Sequence, residues 1–172
     1  MNYLGVNYEM QYVPALDPEF IPFGLWADAY RKGAKKPIAI AIERNEGYTS
    51  VWNTFIHGTE EMFDADCRYV ERYVKFLLWA IGGFRISVCG CSDIAARLQQ
   101  AYSPEGERDF DYDFVKKIYE RDLEILDLPL DDCPTSYECS KPIGGHLDGC
   151  RIGFDAGGSD RKVSAVIDGE CV

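Results

Sequence analysis

Ile38-Ala-Ile-Ala-Ile-Glu43 and Tyr48-Thr-Ser-Val-Trp-Asn-Thr-Phe-Ile56 are two β-prone runs with Asn45-Glu46-Gly47 between them. β-Branched and aromatic side chains suit a pleated strand, and Asn-Glu-Gly can supply the positive φ of a tight connection, so the stretch predicts an antiparallel hairpin. From about Asp66 to Ile81, the residues Cys67, Val70, Val74, Leu77, Leu78 and Ile81 recur three or four apart, the spacing of one helix face, and Gly82-Gly83 offers its stop. Phe84-Arg-Ile-Ser-Val88 reads as a strand. Ser92 is a good N-cap for a helix striped by Ile94, Ala95, Leu98, Ala101 and Tyr102. A second short helix follows, with Phe110, Phe114, Val115, Ile118 and Tyr119 on one face, and Leu123-Glu-Ile-Leu126 can form a last strand. Hairpin, helix, strand, helix, helix, strand is an alternation that favours an α/β layer with a mixed sheet. Its body is residues 37–128.

The flanks have a different character. Residues 1–36 carry Pro14, Pro18 and Pro22 among Phe20, Phe23, Trp26 and Tyr30, which suits an extended arm lying on a folded body. Residues 129–148 mix Pro129, Pro134, Pro142, Gly144 and Gly145 with Asp, Ser and Thr, as a linker does, and a new unit begins at 149.

Composition narrows the functional classes. A chain 47% hydrophobic and 27% charged is globular in type and buries a core. Its net charge of -11, with no basic patch, argues against nucleic acid as a partner, because that affinity rests on Lys and Arg neutralising phosphates. The longest apolar run, Phe76 to Ile81, falls far short of the roughly 20 residues of a membrane span. Residues 1–10 lack the charged and apolar regions of a signal peptide. A cytoplasmic protein with reduced thiols is expected, because the seven cysteines are odd in number and widely spread.

The chemistry concentrates near residue 155. Cys150-Arg-Ile-Gly-Phe154 reads as a strand, Asp155-Ala-Gly-Gly-Ser-Asp-Arg161 as a turn and Lys162-Val-Ser-Ala-Val-Ile167 as the returning strand. Asp168-Gly169 signals a second hairpin, and Glu170-Cys-Val172 starts a third strand. A strand leading into Asp-x-Gly-Gly-Ser and back out can hold nucleotide phosphates, because glycines let backbone N–H groups converge on an anion. Asp155, at the strand end, is placed to hold Mg²⁺ directly or through water, and Ser159 can add a hydroxyl contact. The same residues also make an ordinary β-turn.

Residues 151–169 resemble the first phosphate motif of the actin, hexokinase and heat-shock chaperone superfamily, and most closely the opening of ROK sugar kinases and repressors. Tyr73-Val-Lys-Phe-Leu-Leu-Trp-Ala-Ile-Gly-Gly-Phe-Arg-Ile86 and Gly106-Glu-Arg-Asp-Phe-Asp-Tyr-Asp-Phe114 are similar to the N-terminal extension of some bacterial glucokinase-like ROK proteins. The resemblance implies that residues 149–172 begin an actin-like (ribonuclease H-like) ATPase domain with ATP and Mg²⁺ as cofactors and a sugar as substrate. Asp155 would assist the metal, while Gly157, Gly158 and Ser159 cradle phosphate. Lys162 matches a basic position of related superfamily members and would contact phosphate. Asp160 departs from the pattern, standing where ROK kinases commonly carry Lys and placing a negative charge beside a triphosphate. The family's catalytic Asp, second phosphate motif, adenosine motif and zinc motif would lie beyond residue 172. The chain therefore reads as the N-terminal part of a sugar kinase, without a catalytic residue of its own. The alternative is a ligand-sensing or regulatory member of the same family.

Other constellations are weaker. Asp109, Asp111, Asp113 and Glu120 mimic a calcium loop, but Phe114 stands where that loop needs glycine, so a helix start is expected instead. Cys89-Gly-Cys91, and Cys133, Cys139, His146 and Cys150, lack the paired spacing of a zinc site. His57 reads as a turn residue. Glu60, Glu61, Asp64 and Asp66 read as a solvated first turn of the long helix.

Overall fold

The alternation at residues 38–42 becomes a strand at the centre of the main sheet. The computed structural model describes residues 1–140 and 144–172, and these divide into two units, Met1–Glu138 and Cys139–Val172. The division falls within the expected linker, whose Pro142 lies outside the described residues. In the first unit the chain forms β1 (Asn2–Tyr3), β2 (Val6–Asn7), α1 (Phe23–Arg31), β3 (Lys36–Glu43) and β4 (Thr49–Ile56). It continues through α2 (Phe63–Ala80), β5 (Arg85–Cys89), α3 (Ser92–Ala101), α4 (Asp109–Tyr119) and β6 (Glu124–Leu128). The principal sheet has the order β4-β3-β5-β6. β3 runs antiparallel to β4 and β5, and β5 runs parallel to β6, which makes the sheet mixed, as the sequence pattern implies. Glu46 and Gly47 take φ of 63° and 74° in the β3–β4 connection. The parallel pair needs a crossover, and α3 with α4 supplies it.

One face of this sheet carries the core. Ile38, Ile40 and Ile42 join a single buried cluster with Trp26 and Tyr30 of α1, Val70 and Val74 of α2, and Ile94 and Leu98 of α3. Ala39 and Ala41 point the opposite way, since successive side chains on a strand alternate, and they are also buried. The chain after β6 covers them. Leu130 lies against Gly90, Tyr137 pairs with the Thr49 backbone, and the Cys133 thiol meets that of Cys89, which is Ala39's partner in register.

Residues 23–31, expected within an extended arm, are helical and internal. Trp26, Ala27 and Tyr30 are buried, and the Trp26 indole donates to the Tyr3 carbonyl at 3.0 Å. Trp26 stacks on Tyr30 at 5.2 Å and Tyr30 on Tyr69 at 4.4 Å between ring centroids. Proline density suggested an arm, but Pro22 sits at the N-cap with φ −66°, where a fixed φ opens a helix rather than breaking one. At the end of α2, Gly83 has φ 153°, and a Cβ there would lie 2.4 Å from Ile42 Cγ1 and 2.8 Å from the Glu43 carbonyl oxygen. Glycine at that point is what lets the chain return against β3.

Three local expectations are corrected. Ser92 is the first residue of α3 and Cys91 is its N-cap, with no side chain capping it. Asp66 is not solvated. Its carboxylate accepts from the Tyr30 hydroxyl at 2.5 Å and from the His57 and Gly58 backbone N–H groups at 3.0 and 2.7 Å. It therefore joins α1, the end of β4 and the start of α2. The third correction concerns α4, where Val115 is buried but Phe110, Phe114 and Ile118 are 64%, 39% and 57% exposed. Asp111 turns the helix. Its carboxylate takes Lys75 Nζ at 2.8 and 3.0 Å and the Trp79 indole N–H at 2.7 Å, fixing the acidic face of α4 against α2.

The second unit is a three-stranded antiparallel sheet of β7 (Cys150–Ala156), β8 (Arg161–Ile167) and β9 (Glu170–Cys171), in that order. Asp168 and Gly169 take φ of 49° and 89°, as the connection of a two-residue hairpin with right-handed strand twist requires. The Asp168 carboxylate also accepts the Gly149 N–H at 2.7 Å. The strands are exposed along most of their length.

Candidate functional site

The five residues singled out as ligand contacts lie together at one end of β7–β8. Register pairs Asp155 with Lys162 and Phe154 with Val163. Directly opposed residues share a face, so the acid and the base lie on one side of the hairpin while Phe154, Val163, Ile152 and Ala165 line the other. Beyond them, Gly157 to Asp160 form the turn between the two strands. The two glycines serve different ends. A Cβ at Gly157 would lie 2.7 and 2.8 Å from Asp160 Oδ1 and O, so glycine is demanded by the turn itself, whereas a Cβ at Gly158 would meet nothing within 4 Å. Gly158 leaves the backbone open to solvent.

Electrostatically the tip is a small, exposed, mixed cluster. Lys162 Nζ lies 3.3 Å from Asp160 Oδ2, so the cation expected to contact phosphate is shared with the anion that departs from the family pattern. Both side chains are more than half exposed, and such a pair exchanges readily for another anion. Asp155 offers a single exposed carboxylate. Among the described residues no three His, Cys, Asp or Glu side chains gather into a metal-binding group. One carboxylate is nonetheless compatible with Mg²⁺, which is commonly held by one or two carboxylates together with substrate phosphates and water.

The remaining candidates are structural. Asp111 is committed to Lys75 and Trp79, which removes it from any calcium loop. Burial pushes the Cys67 thiol up to about 11 and the Cys89 thiol up to about 12, the latter helped by the adjoining Cys133 thiol, so both remain protonated at neutral pH. His57 places Nε2 3.0 Å from the Tyr30 carbonyl oxygen and its ring edge-on to Tyr30. Burial first, and then the bond to Asp66, push the Tyr30 hydroxyl far above its ordinary range, so it stays a donor. His146 accepts from Arg151 Nε through its carbonyl at 3.0 Å.

A second concavity was not legible in the sequence. A cavity of about 620 Å³ lies at the carboxyl end of β5, lined by Lys36, Glu60, Phe63, Cys91, Asp93 and Arg97 among others. Carboxyl ends of strands flanked by helix starts are where α/β sheets hold ligands, and Gly90-Cys91 between strand and helix was its available signal. Lys36 and Arg97 share its lining with Glu60 and Asp93, and Asp66 at its wall already accepts three hydrogen bonds. Among the described residues no helix is long and apolar enough to cross a membrane. No family model, no curated protein and no solved structure matches the chain.

Proposed function

We propose that residues 149–172 serve as the first phosphate-binding hairpin of an ATP-dependent sugar kinase of the ROK kind. The observation that carries this reading is the register that sets Asp155 opposite Lys162 immediately before an open Gly157-Gly158-Ser159 tip. Backbone N–H groups at Gly158 and Ser159 would donate to phosphate oxygens without side chains in the way. Lys162 would exchange Asp160 for a phosphate oxygen, and Asp155 would bind the metal directly or through an ordered water. Bound Mg²⁺ would neutralise charge between the β- and γ-phosphates. No residue of the hairpin is assigned as the base that activates the sugar hydroxyl.

A second reading rests on the contact between Lys162 and Asp160. A tip whose cation is internally neutralised suits a ligand-sensing or protein-interaction member of the same family. Calorimetry of Mg-ATP with the protein expressed from its full reading frame separates the two. The kinase reading expects saturable, Mg²⁺-dependent binding, weakened about tenfold or more by Asp155→Ala and strengthened by Asp160→Lys. Binding indifferent to Asp155→Ala removes the metal role, and no binding of Mg-ATP favours the second reading.

A further inference from the structure

The exposed stripe of α4 has no counterpart in the proposed kinase chemistry. Phe110, Asp113, Phe114, Lys117 and Ile118 fall at helical spacing i, i+3, i+4, i+7 and i+8, the pattern of a face that packs against another helix, yet all five are exposed. Trp79 of α2 extends the surface. Its ring is parallel to Phe110 and Phe114 within 1° and 12°, with centroids 6.3 and 5.0 Å away, and Phe110 and Phe114 are within 11° of each other. Trp79 is itself 51% exposed, and Phe76, one turn earlier on α2, is 58% exposed. These aromatics are held in place from below, because Asp111 anchors both the Trp79 indole and Lys75. A contiguous, pre-ordered aromatic shelf is a docking surface rather than a scatter of solvated side chains.

The charges on the shelf indicate the occupant. Asp109 and Asp113 lie in the N-terminal part of α4 and Lys117 in its last turn, all bordering the same shallow concavity with Phe110 and Phe114. A two-fold axis near Phe114 would bring two α4 helices together antiparallel, and the acidic end of each would then face the basic end of the other. The helix dipoles would oppose in the same favourable sense. The patch is thus self-complementary in charge within a molecule whose net charge of -11 otherwise repels a second copy. We infer that the α2–α4 shelf is an isologous interface between two copies of this chain, with Phe110, Phe114 and Trp79 at its centre and Asp113–Lys117 pairs across the rim.

Sedimentation equilibrium on the full chain tests this. A dimer is expected at concentrations of about 100 μM or below. Phe114→Glu should yield a monomer with unchanged far-UV circular dichroism, and the more exposed Phe110→Glu provides the same readout if the first variant misfolds. Asp113→Lys and Lys117→Glu should each weaken association about tenfold, because each sets like charges across the axis. The double variant, which reverses both signs, should recover most of the loss. A wild-type chain that stays monomeric, a dimer indifferent to both Phe→Glu variants, or a double variant no better than the singles would overturn the assignment.

Discussion

Two of the antiparallel hairpins are built from long strands of similar length, β3–β4 with eight residues in each strand and β7–β8 with seven. In the first, Ile38, Ile40 and Ile42 are at most 1% exposed. In the second, Ile152, Phe154 and Val163 are 79%, 64% and 66% exposed. Both follow the period of two that sends alternate side chains to opposite faces. Alternation therefore dictates the strand and selects its apolar face, but other elements of the fold decide whether that face is covered. Full burial of a large aliphatic side chain is worth about 1.5–3 kcal/mol, which β3 collects from α1, α2 and α3, and among the described residues of its own unit β7 has no comparable layer.

This contrast can be broken by substitution. Ile40→Ala should destabilise the Met1–Glu138 unit by about 3–4 kcal/mol in urea unfolding followed by tryptophan fluorescence. Ile152→Ala should change protection of the β8 amides in hydrogen exchange by no more than about 0.5 kcal/mol. Equal effects would show that the second sheet is covered in solution. Next in size is Asp66→Asn, expected to cost about 2–3 kcal/mol in the same unfolding assay, because a charged acceptor of three hydrogen bonds is replaced by a neutral one.

A smaller effect follows from titration. Burial raises Cys67 from 9.0 to about 11 and Cys89 from 9.0 to about 12. The unfolded chain loses these protons first, so their contribution to stability is complete below pH 9 and lost as pH rises toward 11–12. The midpoint of thermal unfolding should fall across that window, and Cys67→Ser with Cys89→Ala should flatten the slope. At pH 8 the exposed Cys139, Cys150 and Cys171 should react with a thiol reagent well before either buried thiol. Gly169→Ala should cost about 1 kcal/mol, confined to β8–β9, since φ 89° is unfavourable for any residue with a Cβ.

The mixed sheet was legible because its signals are local: alternation at 38–42, three-four spacing at 67–81, and positive-φ residues at Glu46 and Gly47. α1 was obscured by the prolines before it, although Trp26, Ala27 and Tyr30 already carried a helical spacing. In α4 the period was right and the face was wrong, because hydrophobicity alone ranks Phe110 and Phe114 above Asp111. Partners distant in sequence, Lys75 and the Trp79 indole, make burial of that carboxylate favourable. The tip at 155–162 was visible as a turn, but its cross-strand register and the sharing of Lys162 with Asp160 depend on geometry that spacing does not contain.

The arrangement of β3 between two very different neighbours bears on the order in which the protein assembles. Its pairing with β4 closes across a connection of five residues, so loop-closure entropy is small and the hairpin can form as soon as the chain has emerged. β5 can join only after α2 has been made, and β6 only after the two-helix crossover beyond β5 has closed. The sheet thus grows from its β4–β3 side toward β6, with its parallel edge the slowest step and the last to gain protection.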